Sequence, residues 1–159
     1  MKEHMVEVEK SFQDTLVGDV YEIIVQEPVV IRQGTRIKDA IEEMLRNPAS
    51  HVVYVVDDDM KLIGAITTAA LLELIGYKVG VKGASALSFY RFMRDALGDE
   101  IKDVVQKMTV VRRETKITDA LNLMIKNRWD ALPVVDDKDR LVGELVSLEL
   151  FHKGKDLFK

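Results

Sequence analysis

Residues 131–150 read ALPVVDDKDRLVGELVSLEL, and residues 52–71, 79 positions earlier, read VVYVVDDDMKLIGAITTAAL. The two stretches agree at Val55 and Val134, Val56 and Val135, Asp57 and Asp136, Asp58 and Asp137, Leu62 and Leu141, Gly64 and Gly143, and Leu71 and Leu150. Each is a valine-rich run, a short acidic turn and a second branched apolar run. That is the pattern of a β-hairpin. Repetition at a fixed spacing decides the fold before any single motif does.

Upstream of each hairpin the periodicity changes from two to 3.6. Segment 35–47, TRIKDAIEEMLRN, sets Ile37, Ala40, Ile41, Met44 and Leu45 on one helical stripe, and segment 115–127, TKITDALNLMIKN, does the same with Ile117, Ala120, Leu121, Met124 and Ile125. Six of these thirteen positions are identical. Thr35 and Thr115 precede the stripes and are predicted to cap the helices through their hydroxyls. Short strands are predicted at 29–31 and 110–111, before the helices, and hairpin strands at 52–56, 62–66, 132–135 and 141–146. A second helix follows each hairpin: TAALLELI, stopped by Gly76, and SLELFHKGK. The repeat unit is strand, helix, strand, strand, helix. The lead-in segments 17–20 (VGDV) and 101–104 (IKDV) also correspond.

Outside the repeats, 1–16 carries Met5, Val8, Phe12 and Leu16 at loose helical spacing. Segment 84–97 reads as a helix with Leu87, Tyr90, Met93 and Leu97, made apolar all round by Phe89 and Phe92 and stopped by Gly98. The predicted divisions are an N-terminal segment 1–16, a first repeat 17–76, a connecting segment 77–100 and a second repeat 101–159. A unit of some 50 residues buries too little surface to stand alone, so two copies sharing a core is the expected solution.

Composition narrows the function. The net charge of -4 provides no basic footprint for nucleic acid. There is no cysteine, hence no disulfide, thiolate metal site or cysteine nucleophile. The charged start MKEHMVEVEK is unlike a secretory signal, and no apolar run nears the roughly 20 residues of a membrane helix. A cytoplasmic protein is expected. No Walker sequence, G-x-S-x-G or strand-borne G-x-G-x-x-G is present, and the expectation is of no enzyme.

The lead-in, the threonine-preceded helix and A-L-P-V-V-D-D-x-x-x-L-V-G together resemble the CBS domain, named after cystathionine beta-synthase. Two copies in tandem resemble a CBS pair, or Bateman module, from Val17 to about Phe151. The second copy is the clearer match; the first has Tyr54 where the second has Pro133. The resemblance implies an α/β (α+β) fold of two βαββα repeats packed with pseudo-two-fold symmetry, pairs that dimerise, and small-molecule sites in the cleft between the copies.

The resemblance also implies where adenosine compounds sit. The adenine slot of the second repeat falls on Met108, Thr109, Trp129, Asp130, Ala131, Leu132 and Pro133, and that of the first on Pro28, Val29, His51, Val52 and Val53. The family's T-x-x-D, whose acid takes ribose hydroxyls and whose hydroxyl helps hold phosphate, falls on Val146-Ser147-Leu148-Glu149 and on Thr67-Thr68-Ala69-Ala70. The second repeat retains the acid, Glu149, with Ser147 one residue late. The first retains the hydroxyl, Thr67, with Thr68 beside it, and lacks the acid. The implied ligands are AMP, ADP, ATP or S-adenosylmethionine, with no required cofactor.

Plainer readings stand beside these. Trp129 suits a half-buried core or dimer contact, and His51 suits a turn. His4, His51 and His152 have no metal-ligand spacing. Asp57-Asp58-Asp59 and Asp136-Asp137 lack the glycine and terminal glutamate of a calcium loop and suit solvated turns. Arg112-Arg113 suits a solvated pair or a phosphate contact. Two functions remain open: a regulatory module sensing an adenosine compound, or a ligand-free homodimeric scaffold with vestigial sites that docks on a protein partner through the apolar helix 84–97.

Overall fold

The computed structural model describes residues 2–25, 27–46, 50–79 and 85–156. The elements are α1 (Lys2–Gln13), β1 (Val30–Arg32), α2 (Ile37–Arg46), β2 (Val52–Val56), β3 (Leu62–Thr67), α3 (Thr68–Val79), α4 (Ala86–Ala96), α5 (Ile117–Asn127), β4 (Ala131–Val135), β5 (Leu141–Val146) and α6 (Ser147–Asp156). The lead-ins become single 3-10 turns, Val17–Asp19 and Ile101–Asp103. This mixture of helix and strand is the expected α+β class. The chain divides into two compact units, Met1–Pro28 with Met108–Lys159, and Val29–Lys107.

In the unit Val29–Lys107 the strand order is β1-β2-β3. Strands β1 and β2 are parallel, joined through the crossover helix α2, and β2 and β3 form the hairpin. All five residues of the central strand, VVYVV, are buried, which is why it reads as continuous apolar sequence rather than alternating. Its core gathers Ile31, Ile37, Ala40, Val53, Val55, Ile66, Ala70, Ile101 and Val104. In the other unit β4 and β5 pair as a hairpin of the same register, each with an irregularity at the last valine of the first strand. Here the core gathers Val17, Val20, Tyr21, Val111, Ile117, Ala120, Met124, Leu132, Val134, Leu145 and Leu150. The predicted strand at 110–111 is reduced to one parallel bridge, Val111 to Val134.

The division shows what holds each lead-in. The lead-in of each sequence repeat packs in the same unit as the other repeat's hairpin. Val17 N–H donates to Thr115 O (2.8 Å), and Ile101 N–H donates to Thr35 O (3.0 Å). Ile117 N–H donates to Thr15 O, and Ile37 N–H to Asp99 O, both at 2.9 Å. The same bonds thus recur in the same places. They also correct the capping expectation. The helices start at Ile37 and Ile117, two residues past the threonines, and the Asp99 and Thr15 carbonyls, two residues before the lead-ins, take their first N–H groups. The Thr35 hydroxyl donates back to Arg32 O (2.6 Å), and that of Thr115 accepts from Arg112 N–H (2.9 Å).

The repeated glycine has a related cause. A Cβ at Gly64 would meet the Gln106 carbonyl and Val105, and one at Gly143 would meet the Tyr21 ring, all closer than the 3.0 Å that real Cβ atoms respect. Tyr21 and Val105 are corresponding lead-in positions, so both glycines exist to let a lead-in cross the hairpin. Gln106 and Ala65 exchange two backbone bonds of 2.8 Å at that crossing.

Two helix boundaries differ from expectation. Helix α3 runs through Gly76 to Val79, because its packing on α4 outweighs the roughly 1 kcal/mol cost of an interior glycine. Helix α4 begins at Ala86, capped by Ser85, whose hydroxyl oxygen accepts from Ser88 N–H (3.1 Å); residue 84 lies outside the described residues. Phe92 and Ala96 are its buried side, and Leu87, Phe89 and Tyr90 face outward.

Candidate functional site

Sheet register brings the second-repeat residues to one end of the β4–β5 hairpin. Ala131 pairs with Val146, the last residue of β5, and Ser147 N–H donates to Asp130 O at 2.8 Å. Val111 N–H donates to Pro133 O (3.0 Å), which brings the approaching chain of Met108 and Thr109 alongside β4. Ala131, Leu132 and Pro133 are buried, Trp129 and Ser147 are half-buried, and Thr109 and Asp130 are exposed. Trp129 packs against the core cluster of its unit.

In the first repeat, Val29, His51, Val52, Thr67 and Thr68 gather at the corresponding end of the three-stranded sheet. Val52 pairs with Thr67, Tyr54 N–H donates to Val29 O (2.9 Å), and Thr68 N–H donates to His51 O (3.3 Å). Pro28 belongs to the other compact unit.

The two divergent T-x-x-D segments prove to be the two halves of a capping box. In the first repeat the Thr67 hydroxyl oxygen caps α3 by accepting from Ala70 N–H at 3.0 Å. In the second repeat Glu149, three residues into the α6 start, reaches back and accepts from Val146 N–H at 2.9 Å. A capping box needs a hydroxyl at the cap and an acid three residues on, and each repeat retains one. Neither segment carries the complete S/T-x-x-D/E signature of such a box, so only the comparison of the two repeats brings the halves together.

Glu149 does more than cap. It is fully buried, and its second carboxylate oxygen accepts from Ile24 N–H at 3.0 Å, across 125 positions of sequence. Burial pushes its carboxyl above the ordinary range, opposed by the N–H groups of Ile24, Val146, Ile23 and Val25. Glu149 thereby holds the segment between Tyr21 and Val25 against the start of α6. Sequence reading missed this segment, because nothing local marks Ile24 as a partner of Glu149.

The acidic turns are built rather than merely solvated. Asp57 Oδ1 accepts from the N–H groups of Asp59 (2.8 Å) and Lys61 (3.0 Å), and Asp136 Oδ1 from those of Lys138 (2.9 Å) and Arg140 (3.0 Å). Met60 and Asp139 take positive φ at matching places. Arg112 reaches the Asp136 carbonyl and pairs with Asp139 at 2.8 Å, and Arg113 donates to the Tyr21 hydroxyl at 3.1 Å. Both arginines are thus engaged within their own unit. Among the described residues no group of three or more His, Asp or Glu is placed to hold a metal, and no helix is long and apolar enough to cross a membrane.

An internally repeated α+β chain, with residues gathered where its strands meet the following helix, defines a class of tandem-repeat binding folds. The chain belongs to the CBS-domain family, which matches residues 17–77 and 100–152, and it is a tandem CBS pair. It is 29% identical over 138 residues to the uncharacterized protein MJ1426 of Methanocaldococcus jannaschii, covering 76% of this chain and 82% of that one. It superposes on a CBS domain-containing protein of Thermotoga maritima with a TM-score of 0.72 and 30% identity, covering 88% and 94% of the two chains. Two further folds are similar. CBSX2, a CBS-pair protein of Arabidopsis thaliana solved in complex with AMP, gives a TM-score of 0.70 at 23% identity, over 91% of this chain and 99% of that one. The CBS domain pair of protein MJ0100, solved with 5-methylthioadenosine and S-adenosyl-L-methionine, gives 0.66 at 20% identity, over 89% and 97%.

Proposed function

We propose that this chain is a regulatory module that senses an adenosine nucleotide or adenosyl compound, and that it acts by binding rather than by catalysis. The observation that carries the reading is the Glu149 carboxylate at the start of α6, held by the Ile24 N–H. A ribose diol is a good donor pair for a carboxylate. In this reading the diol takes the place of the Ile24 N–H, the adenine lies against Ala131 and Leu132 between Trp129 and Met108–Thr109, and a phosphate meets Ser147 at the α6 N-terminus. Pro133 stiffens the strand beside the slot. Ligand entry then releases the segment from Tyr21 to Val25, and this release is the conformational signal. A ligand shifts such an equilibrium only by its unequal affinity for the two states. AMP bound to CBSX2 and S-adenosyl-L-methionine bound to the MJ0100 pair support the ligand class. The first-repeat set, Pro28, Val29, His51, Val52, Thr67 and Thr68, has no acid for a ribose and is the weaker candidate.

The test is thermal unfolding with AMP, ADP, ATP and S-adenosylmethionine, combined with amide exchange of residues 22–25. A ligand at about 100 times its Kd stabilises the folded chain by about 2.7 kcal/mol. The expected result is a raised Tm together with faster exchange at Ile24. No Tm shift with any of the four at millimolar concentration refutes the reading. A homodimer is part of the proposal, favoured by the outward-facing Leu87, Phe89 and Tyr90 of α4, and sedimentation of the Tyr90→Glu variant checks it.

A further inference from the structure

The two units can be compared position by position, and one space is filled in one and open in the other. In the unit that holds β4 and β5, the Tyr21 ring lies over Gly143, and Arg113 closes over it. The Arg113 guanidinium carbon is 5.9 Å from the ring centroid, and its Nε donates to the Tyr21 hydroxyl. In the unit Val29–Lys107 the corresponding positions are Val105 and Gln33, both too small to fill that space. What remains is a cavity of about 360 Å³, floored by Val55, Ile63, Ile101 and Val105. Gln33, Glu100, Lys102 and Lys107 stand at its rim. Lys102 and Lys107 correspond to Gly18 and Ile23 of the other unit, so both cations are peculiar to the open side. Among the described residues neither lysine forms an ion pair.

We propose that this cavity is a second, separate binding site, for a small amphiphilic anion: an apolar body of some eight carbons with a carboxylate or phosphate head. The volume lies within the usual range for small-molecule pockets. The apolar floor takes the hydrocarbon, whose burial from water favours binding. The two ammonium groups set the sign of the head group, against the single carboxylate of Glu100. The site lies where Gln33 and Gly34 follow β1 and where β2 ends. That is the end of the sheet opposite to Val29, Val52 and Thr67, and the cavity lining shares no residue with either adenosine set.

Octanoate, with octylamine and octanol as controls, tests the proposal by methyl NMR on the full chain. Octanoate is expected to shift the methyl signals of Val55, Ile63, Ile101 and Val105 saturably, and octylamine is expected to bind at least tenfold more weakly. Octyl phosphate in place of octanoate distinguishes the two head groups. Lys102→Glu, an exposed change that leaves the core untouched, should weaken octanoate binding about tenfold. The double change Gln33→Arg with Val105→Tyr, which copies the filled unit, should abolish it while any response to AMP persists. If octanoate leaves those methyls unmoved up to its solubility limit, or if octylamine binds equally well, the proposal fails. It also fails if Lys102→Glu or the filled variant binds octanoate as the wild type does. Should the filled variant not fold, Lys102→Glu alone decides. A lost AMP response with octanoate binding intact would reject only the adenosine reading.

Discussion

Replacing Glu149 by glutamine removes a charge and changes almost no volume, which isolates the carboxylate's hydrogen bonding. The native side chain is wholly buried and accepts from Val146 N–H at 2.9 Å and Ile24 N–H at 3.0 Å, one to each oxygen. A glutamine amide has one acceptor oxygen. Whichever way it turns, its NH2 confronts one of the two backbone N–H groups. One charge-assisted bond is lost and one buried donor is left without a partner, a cost of about 1.5–3 kcal/mol. Burial holds the carboxyl above its ordinary pKa, so removing the charge offsets part of that cost. The net destabilisation at neutral pH is about 1–2 kcal/mol. At about 2–4 °C per kcal/mol for a chain of this length, Tm falls by about 2–8 °C. The raised pKa sets the sign of the pH dependence. The wild-type contribution is fully present below the ordinary glutamate pKa and is lost as pH rises through the folded-state value, a slope the glutamine variant lacks. The gap between the two proteins is therefore widest in acid. Calorimetry across pH, with amide exchange at Ile24, is the assay. A Tm within about 1 °C of wild type at all pH values, with Ile24 exchange unchanged, would refute the clamp.

The glycine crossings give a paired prediction. Gly143→Ala drives a methyl into the Tyr21 ring and should cost about 1–3 kcal/mol in urea unfolding, with part recovered by Tyr21→Ala. Gly64→Ala meets the Gln106 backbone carbonyl, so trimming Val105 should recover little; full recovery would sink the crossing account. For Asp136, burial is the largest single influence and raises the pKa, but the N–H groups of Arg140 and Lys138 and the Arg140 guanidinium together outweigh it, and the pKa is lowered. Its contribution is present above the ordinary aspartate pKa and lost as pH falls through the folded-state value. Asp136→Asn should flatten the acid limb of stability against pH, and an unchanged limb counts against the turn's role.

Much of the architecture is written in local periodicity. The valine runs, the stripe of Ile117, Ala120, Leu121 and Met124, and the Asp-Asp turns each report on neighbours within a few residues, and a repeated pattern reports twice. This sufficed for the hairpins, the helices α2 and α5, the α+β class and the family. It also brought the Ala131–Glu149 neighbourhood into view, because register follows from a hairpin whose turn is recognised. Helix ends were less legible. Thr35 and Gly76 carry local signals that distant packing overrides: the Asp99 carbonyl at α2, and the face of α4 against α3.

Tertiary structure alone decided which lead-in serves which hairpin. Val17 to Val25 joins residues more than ninety positions away, and no local pattern encodes such a choice. From that choice follow the need for Gly64 and Gly143, the burial of Glu149 under the Ile24 N–H, and the contrast between a space filled by Tyr21 and Arg113 and one left open by Val105 and Gln33. The physical reason is simple. Periodicity says which face of an element is apolar, but only the packed chain says what that face meets.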